Sequence, residues 1–564
     1  MEASPKKDRA IRLSCVLRES LPSNEDTAWI VETSQHSSLL ALESLMMPYA
    51  TFEGADGDIS DGLKRIPGRA LHPVLIARHM LQLATCLHHL QANVHGDMKA
   101  SVQSPRDMME RLADTAINLV TTNDELLGSI EGLQCIMIEG IYHVNRGNLR
   151  RSWVTCRRAL TIAQLMGLNR SANQAQYVVL DPKTRYNPQH MWFRMVALER
   201  HLCLMMGLPQ GSLDRSMTAD MAFAGDTPMG RLERLHCVLA SRILERNESA
   251  PGPDDTTLTR DLDLDLQKAA RSLPSKWWLP PSLIVDATES QALFWDARRL
   301  FAHVFHYSLL LQLHLPYMLH FTSNQGACDY SRITCVNASR EVISRFITLR
   351  SSNRIALDCR TIDFFALMAA MTLLIAHLEG HRLGVGNLLA HQYLSDRAMT
   401  EQVQDCMEEL HRLNADALSA QSANLLRRLL IMEADAMGAP ALDRHIASCA
   451  QDQDDHINVG VSTPYYKIIK IAREGMSPSV MPNHGSIGFD DSGQPQASTD
   501  TLQGPALPSG SLQYDCSSAS AATSGDSAFQ GVDLAFFENL MRTSGGDDSL
   551  DWIFGTEASA ADKP

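Results

Sequence analysis

The amino-acid sequence predicts an all-α protein, an array of packed antiparallel helical hairpins with a disordered acidic C-terminal tail. Two observations predict the helical part. Apolar residues recur at helical spacing almost throughout residues 66–475. No run of alternating strands and no βαβ rhythm interrupts them. The third observation is a change of composition near Met476. From there to Pro564 the chain carries twelve acids against Arg542 and Lys563, and Ser, Gly, Pro and Ala fill most of the rest. Such a segment buries too little apolar surface to offset its chain entropy, so disorder is expected.

Taken in order, residues 1–65 read as an N-terminal segment, partly flexible, with a loop at EGADGDISDG, Glu53 to Gly62. The opening MEASPKKDRAIRLS has no apolar stretch of the secretory-signal kind. In SIEGLQCIMIEGIYHVN, Leu133, Ile136, Met137, Gly140, Ile141 and Val144 lie on one helical face. The turn Arg146-Gly147-Asn148 follows. Trp153, Cys156, Leu160 and Ala163 then mark a second helix that stops at Gly167, a left-handed cap. Helices joined so tightly pack as an antiparallel hairpin. Another helix spans His190 to Met206, is capped by Gly207 and cannot continue through Pro209. Further helices are expected around Met80, Leu239, Leu309, Val342, Met371, Met407 and Leu429. No fixed repeat of a helical solenoid is found.

Composition narrows the function classes. With 45% hydrophobic and 20% charged residues in 564, the chain has a real core. A net charge of −15 argues against coating nucleic acid by bulk positive charge. The 12 cysteines contain no CxxC, and the nearest pair is Cys328 and Cys335, so neither a disulfide scaffold nor a zinc ribbon is expected. The longest uncharged apolar run, Phe364 to Ala376, is shorter than the roughly 20 residues a membrane span needs. A soluble, intracellular chain with reduced thiols is the expectation.

Chemical motifs are sparse. There is no phosphate-binding glycine loop and no GxSxG elbow, and GHRLGVG at Gly380 to Gly386 reads as a helix-ending loop. His377 and His381 flank Glu379 in the order H-L-E-G-H, which puts the Glu on a different face from the one a zinc protease needs. His303/His306 and His88/His89 have no nearby Cys or acid to complete a metal site. Asp254-Asp255 and Asp452 to Asp455 lack the spacing of a magnesium-binding aspartate array. Arg146, Arg150, Arg151, Arg157 and Arg158 straddle the hairpin turn and read as a solvated, partly salt-bridged face rather than a DNA contact. No catalytic, metal or cofactor residues are assigned, and no cofactor is expected.

The hairpin LQCIMIEGIYHVNRGNLRRSWVTCRRALTIAQLMGLNR, Leu133 to Arg170, resembles a signature of the fungal-specific transcription factor domain, the middle homology region of fungal zinc-cluster regulators. Downstream, Trp192, Glu199-Arg200 and Gly207-Leu208-Pro209 resemble that family's next elements, after Trp153 in the hairpin. LDLQKAARSLPSKWWLPPS with Trp277 and Trp278, HLPYML with YSRITCVNASREVI, and TPYYKIIK follow in the family's order. The resemblance covers about 400 residues, and 66–475 are read as the regulatory domain. Each residue also has a structural role: Trp192, Trp277 and Trp278 as core anchors, Glu199-Arg200 as an ion pair within the array, Gly207 and Pro209 as helix terminators.

The resemblance implies a nuclear transcriptional regulator or coactivator, pathway-specific, of the kind that controls a fungal secondary-metabolite gene cluster. Family members usually begin with a six-cysteine binuclear zinc cluster, whereas only Cys15 falls in the first 85 residues here. The expectation is therefore action through a DNA-binding transcription factor and the general coactivator machinery, with DNA contacted indirectly or weakly, no membrane, and dimerisation left open. A gene model lacking its first exon would account for the same absence. Lys6-Lys7-Asp8-Arg9 reads as either a nuclear signal or a solvated tail. The competing readings are an all-α enzyme, which needs convergent carboxylates in one pocket, and a ligand-sensing scaffold with no transcriptional role.

Bulky apolar residues return in the tail at VDLAFFENLMRTSGGDDSLDWIF. They form two clusters, Leu534, Phe536, Phe537, Leu540 and Met541, then Leu550, Trp552, Ile553 and Phe554, interleaved with acids. This composition marks residues 529–556 as an activation segment that folds on a coactivator groove. The competing reading is a C-terminal helix that packs on the protein's own core.

Overall fold

The computed structural model describes residues 5–34, 36–52, 62–68, 71–88, 104–170, 177–219, 221–249, 255–281, 290–319, 325–351, 360–383, 387, 389–414, 417–438, 459–462, 468–472 and 475–478. Fifteen α-helices of ten residues or more occur among them. They are α1 (Pro5–Glu19), α2 (Asn24–Thr33), α3 (His36–Met46), α4 (Pro73–His88), α5 (Pro105–Ala116), α6 (Ile130–Asn145), α7 (Leu149–Leu165) and α8 (Pro188–Met206). Then come α9 (Pro228–Glu248), α10 (Asp255–Arg271), α11 (Ser290–Leu319), α12 (Gln325–Ser351), α13 (Arg360–Leu383), α14 (Tyr393–Asn414) and α15 (Ala417–Gly438). The fold class is all-α, and the expected helices around Met80, Leu239, Leu309, Val342, Met371, Met407 and Leu429 are all present.

The helix starts follow local chemistry. Ser104, Ser129, Asn187 and Thr227 each accept a hydrogen bond from an amide three residues on, which satisfies one donor that the first turn leaves open. Three of these caps are followed by Pro at the first helical position, where its missing N–H costs nothing. At the other ends, Gly147, Gly167 and Gly207 adopt φ of +79°, +82° and +66°. A side chain is strained in that region, so glycine is the residue that can end a helix there.

Consecutive helices pair as hairpins: α4 with α5, α6 with α7, α11 with α12 and α14 with α15. Their apolar faces merge into three clusters. One joins α11–α15 to the ends of α7 and α8, a second joins α1–α8, and a third is built mainly by α9–α11 with Tyr49 and Phe52. Leu17, Ile30, Leu39 and Leu63, from the segment 1–65 that was read as separate and partly flexible, belong to the second cluster. Those residues are part of the helical core rather than an appendage to it.

Helix α13 extends well beyond the apolar run at Phe364 to Ala376. Its residues Arg360–His381 are long and apolar enough to cross a membrane, yet the apolar stretch Thr361 to Leu378 is buried inside the bundle. It is the central core helix, sheathed by α12, α14 and α15.

One element was not expected. Three antiparallel strands, β1 (Val459–Ser462), β2 (Ile468–Ala472) and β3 (Gly475–Pro478), form a meander with Val459 opposite Ile471 and Ile469 opposite Pro478. Helical periodicity therefore ends at Gly438 among the described residues, not at Gly475. VGVS and IIKIA are rich in β-branched residues, which favour an extended backbone. Residues 529–556, expected from the sequence to be an activation segment with Leu534, Phe536, Phe537, Leu540, Met541, Leu550, Trp552, Ile553 and Phe554, lie outside the described residues, as does all of the tail after Pro478.

Candidate functional site

The residues singled out around α7 and α8 converge on the loop that follows α8. Trp192 is buried and its indole N–H donates to Asp214 Oδ2 at 2.6 Å. Seven residues on, Glu199 Oε1 accepts the amide of Gly211 at 2.7 Å and the thiol of Cys203 at 3.2 Å. Arg200, also fully buried, donates to the carbonyls of Ser212 at 3.0 Å, Asp214 at 2.6 Å and Cys237 at 3.0 Å. Gly207 turns the chain, and the carbonyl of Pro209 accepts from Arg157 Nη2 at 2.5 Å. Four side chains thus pin residues 209–214 to the helical array.

The expected Glu199–Arg200 ion pair is not how these two side chains are used. Adjacent helical residues point about 100° apart, so they do not face each other. Glu199 instead lies 3.2 Å from Arg157 Nε, across from α7. That guanidinium also sits 4.9 Å from the Trp153 ring centroid, and the Trp153 indole donates to Cys203 Sγ at 3.3 Å. Burial raises the Glu199 carboxyl above its usual range, and Arg157 opposes the shift only in part.

Trp277 and Trp278 are half-buried in a single 3-10 turn, Ser275–Trp278, against the third cluster. The Trp278 ring stacks on His303, with ring centroids 5.1 Å apart. Arg299 donates to the carbonyls of Lys276, Trp277 and Leu279, and Arg345 donates to that of Trp278. Burial pushes His303 down to about 3, with Arg345 and Arg299 adding to the shift. It is therefore a neutral core histidine.

His377 and His381 also have intramolecular partners. His377 Nε2 is 2.8 Å from Asp396 Oδ2, which Arg340 grips with two 2.7 Å bonds. His381 Nε2 is 2.6 Å from Glu433 Oε1. Among the described residues no group of three or more His, Cys, Asp or Glu could hold a metal ion. In the basic hairpin, Arg146 pairs with Glu110 at 2.6 Å and Arg158 with Asp124 at 2.8 Å, while Arg157 is committed to the α8 loop.

The sequence reading missed a cavity of about 510 Å³ lined by α3, residues 62–67, Leu71, α4, α6 and the loop at 181–185. Glu131, in the first turn of α6, shapes that loop. It accepts the amides of Leu180 and Asp181 at 3.0 Å each and the Thr184 hydroxyl at 2.7 Å. Burial works against the charged form of Glu131, but these hydrogen bonds outweigh it and hold its carboxyl below the usual range. Arg78 Nη1 donates to Gln134 Oε1 at 2.8 Å and Thr184 Oγ1 at 3.1 Å, and Arg185 pairs with Glu43 at 3.1 Å. The signal was present: PVLIARHMLQLA places Arg78-His79 inside an otherwise apolar helix.

No protein-family model matches the chain. Among curated proteins it is 56% identical over 468 residues to the dehydrocurvularin biosynthesis regulator of Alternaria cinerariae, covering 82% of this chain and 61% of that relative's length. It is 47% identical to the dehydrocurvularin biosynthesis regulator of Aspergillus terreus across 95% of this chain and 82% of that protein. It is 36% identical over 462 residues to the probable transcription factor gsfR1 of Penicillium aethiopicum, covering 82% of this chain and 66% of that relative.

Proposed function

Because the chain belongs to a family of fungal transcription factors that includes named biosynthesis regulators, we propose that it acts in the nucleus as a pathway-specific regulator of a secondary-metabolite gene cluster. The observation that carries this reading is the 47% identity maintained over 82% of the Aspergillus terreus regulator. Deleting the gene in the fungus that encodes it is expected to silence a contiguous set of biosynthetic genes and little else. Unchanged transcripts across every such cluster would overturn the reading, as would a fluorescent fusion excluded from nuclei.

In this reading the helical array is a regulatory domain of the fungal-specific transcription factor type, and the chain reaches DNA through a DNA-binding transcription factor. Two features support that route: the net charge of −15, and the commitment of Arg146, Arg157 and Arg158 to partners within the chain. The purified chain should bind promoter DNA only weakly and salt-sensitively. Nanomolar sequence-specific binding at physiological salt would overturn the partner route. Residues 529–556 serve as the activation segment that recruits coactivator machinery. Fused to an unrelated DNA-binding domain they should activate a reporter, and the Phe536→Ala/Phe537→Ala or Trp552→Ala/Phe554→Ala pairs should abolish most of it. An inert fusion removes the assignment.

A further inference from the structure

The cavity beside α4 combines size, an apolar wall and an unbalanced cation. About 510 Å³ falls within the range of small-molecule pockets. Leu39, Leu42, Leu75 and Ile138 supply an apolar wall, and Leu71 lies at the rim, 41% exposed. Four cationic side chains line it, Arg65, Arg78, Lys183 and Arg185, against two acids, Glu43 and Asp181. Glu43 is consumed by Arg185. Half-buried Arg78 has only the neutral Gln134 and Thr184 as hydrogen-bond partners, and no carboxylate pairs with it among the described residues. A guanidinium carries five donors in a planar fork that matches a carboxylate. Next to it, buried His79 also borders the cavity. A guanidinium at the wall of a cavity this large, without a carboxylate partner, offers a ligand carboxylate the charged partner that the described residues do not supply.

We propose that this cavity binds an amphipathic carboxylic acid, with its carboxylate on Arg78 and its apolar part against Leu39, Leu42, Leu75 and Ile138. A phosphate is a poorer match, because a phosphate site needs several converging donors, and among the described residues Arg78 is the one half-buried cation of the wall without a carboxylate partner. The ligand touches α3, α4, α6 and the 181–185 loop at once, so binding ties the N-terminal helices to the rest of the array. This inference does not rest on the transcriptional reading and is tested on the purified full-length chain.

The probe is cis-parinaric acid, whose fluorescence rises in an apolar site, with its methyl ester as the uncharged control. The acid should saturate one site per chain, and the ester should bind about tenfold more weakly, the scale of a lost charge-assisted hydrogen bond. Arg78→Gln should weaken the acid about tenfold while leaving the ester unchanged. Should Arg78→Gln fail to fold, Leu71→Trp decides: the position is partly exposed, so the larger ring fills the mouth without disturbing the core, and uptake should be lost. No saturable uptake by the wild-type chain would overturn the proposal. So would equal affinity for acid and ester, or binding that survives Leu71→Trp.

Discussion

Glu131 and Glu199 do the same mechanical job in two regions with opposite electrostatic results. Each is fully buried, and each accepts backbone amides to hold a loop against a helix. Glu131 receives two amides and a hydroxyl in the first turn of α6, where the helix dipole also favours negative charge, and its carboxyl is held below the usual range. Glu199 sits in the middle of α8 with one amide, one thiol and one arginine, its Oε2 has no hydrogen-bond partner, and its carboxyl is raised. Burial alone therefore does not set the charge of a buried carboxylate. At Glu131 the hydrogen bonds outweigh burial, and at Glu199 they do not.

The largest effect expected around the Glu199 loop comes from its neighbour. Arg200→Met removes the buried donors to the carbonyls of Ser212, Asp214 and Cys237 and should cost about 4 kcal/mol, read by denaturant unfolding. A loss under about 1 kcal/mol would mean that the loop is not held by this side chain. On the other side of the comparison, Glu131→Ala frees the amides of Leu180 and Asp181 and should cost about 3 kcal/mol. It should also loosen the 181–185 wall of the cavity, seen as faster amide exchange there. Gly211→Ala would drive a methyl into the Arg157 guanidinium and should cost about 1–2 kcal/mol. The guanidinium end can shift, which keeps this effect smaller.

The sharpest contrast is in pH dependence, although it is the smallest in size. Glu131 has a folded pKa below its unfolded value of 4.5, so its contribution is present above that pH and is lost as pH falls through the folded pKa. Glu199 has a folded pKa above 4.5, so its contribution is present below that pH and is lost as pH rises through the folded pKa. Stability of wild type minus Glu131→Gln should therefore fall on acidification below about pH 4.5. Wild type minus Glu199→Gln should change in the opposite direction over the range above it. Parallel pH profiles for the two variants would remove the distinction between the two clamps.

Much of the architecture was legible because it is local. The one-sided apolar spacing of Leu133 to Val144, the turn at Gly147 and the stop at Gly207 are decided within a few residues by helix geometry and the freedom of glycine at positive φ. Trp153, Trp192, Glu199, Arg200, Gly207 and Pro209 were legible as a set, and they gather around one loop. Their partners were not. Arg157 was read as part of a solvated basic face, whereas one helix crossing turns it inward onto Glu199 and Pro209. The β-meander was missed because short β-branched runs carry the same local signal as buried helix segments.

By itself, then, the sequence determined the helical periodicity, the hairpin of Leu133 to Arg170 and the stops at Gly167 and Gly207, and it carried a resemblance to a fungal regulatory domain. The helical elements depend on side-chain period, caps and turn residues, all interactions over a few positions, whereas the resemblance rests on matching motifs in order. Only the tertiary structure decided that the helices of residues 5–46 join the core, that Glu199 pairs with Arg157, and that Arg78 and His79 border a cavity. Those outcomes depend on how helix faces far apart in the chain meet. A polar residue in an apolar helix announces that it needs a partner, but which partner it finds, or whether a space is left beside it, is settled only when the helices pack.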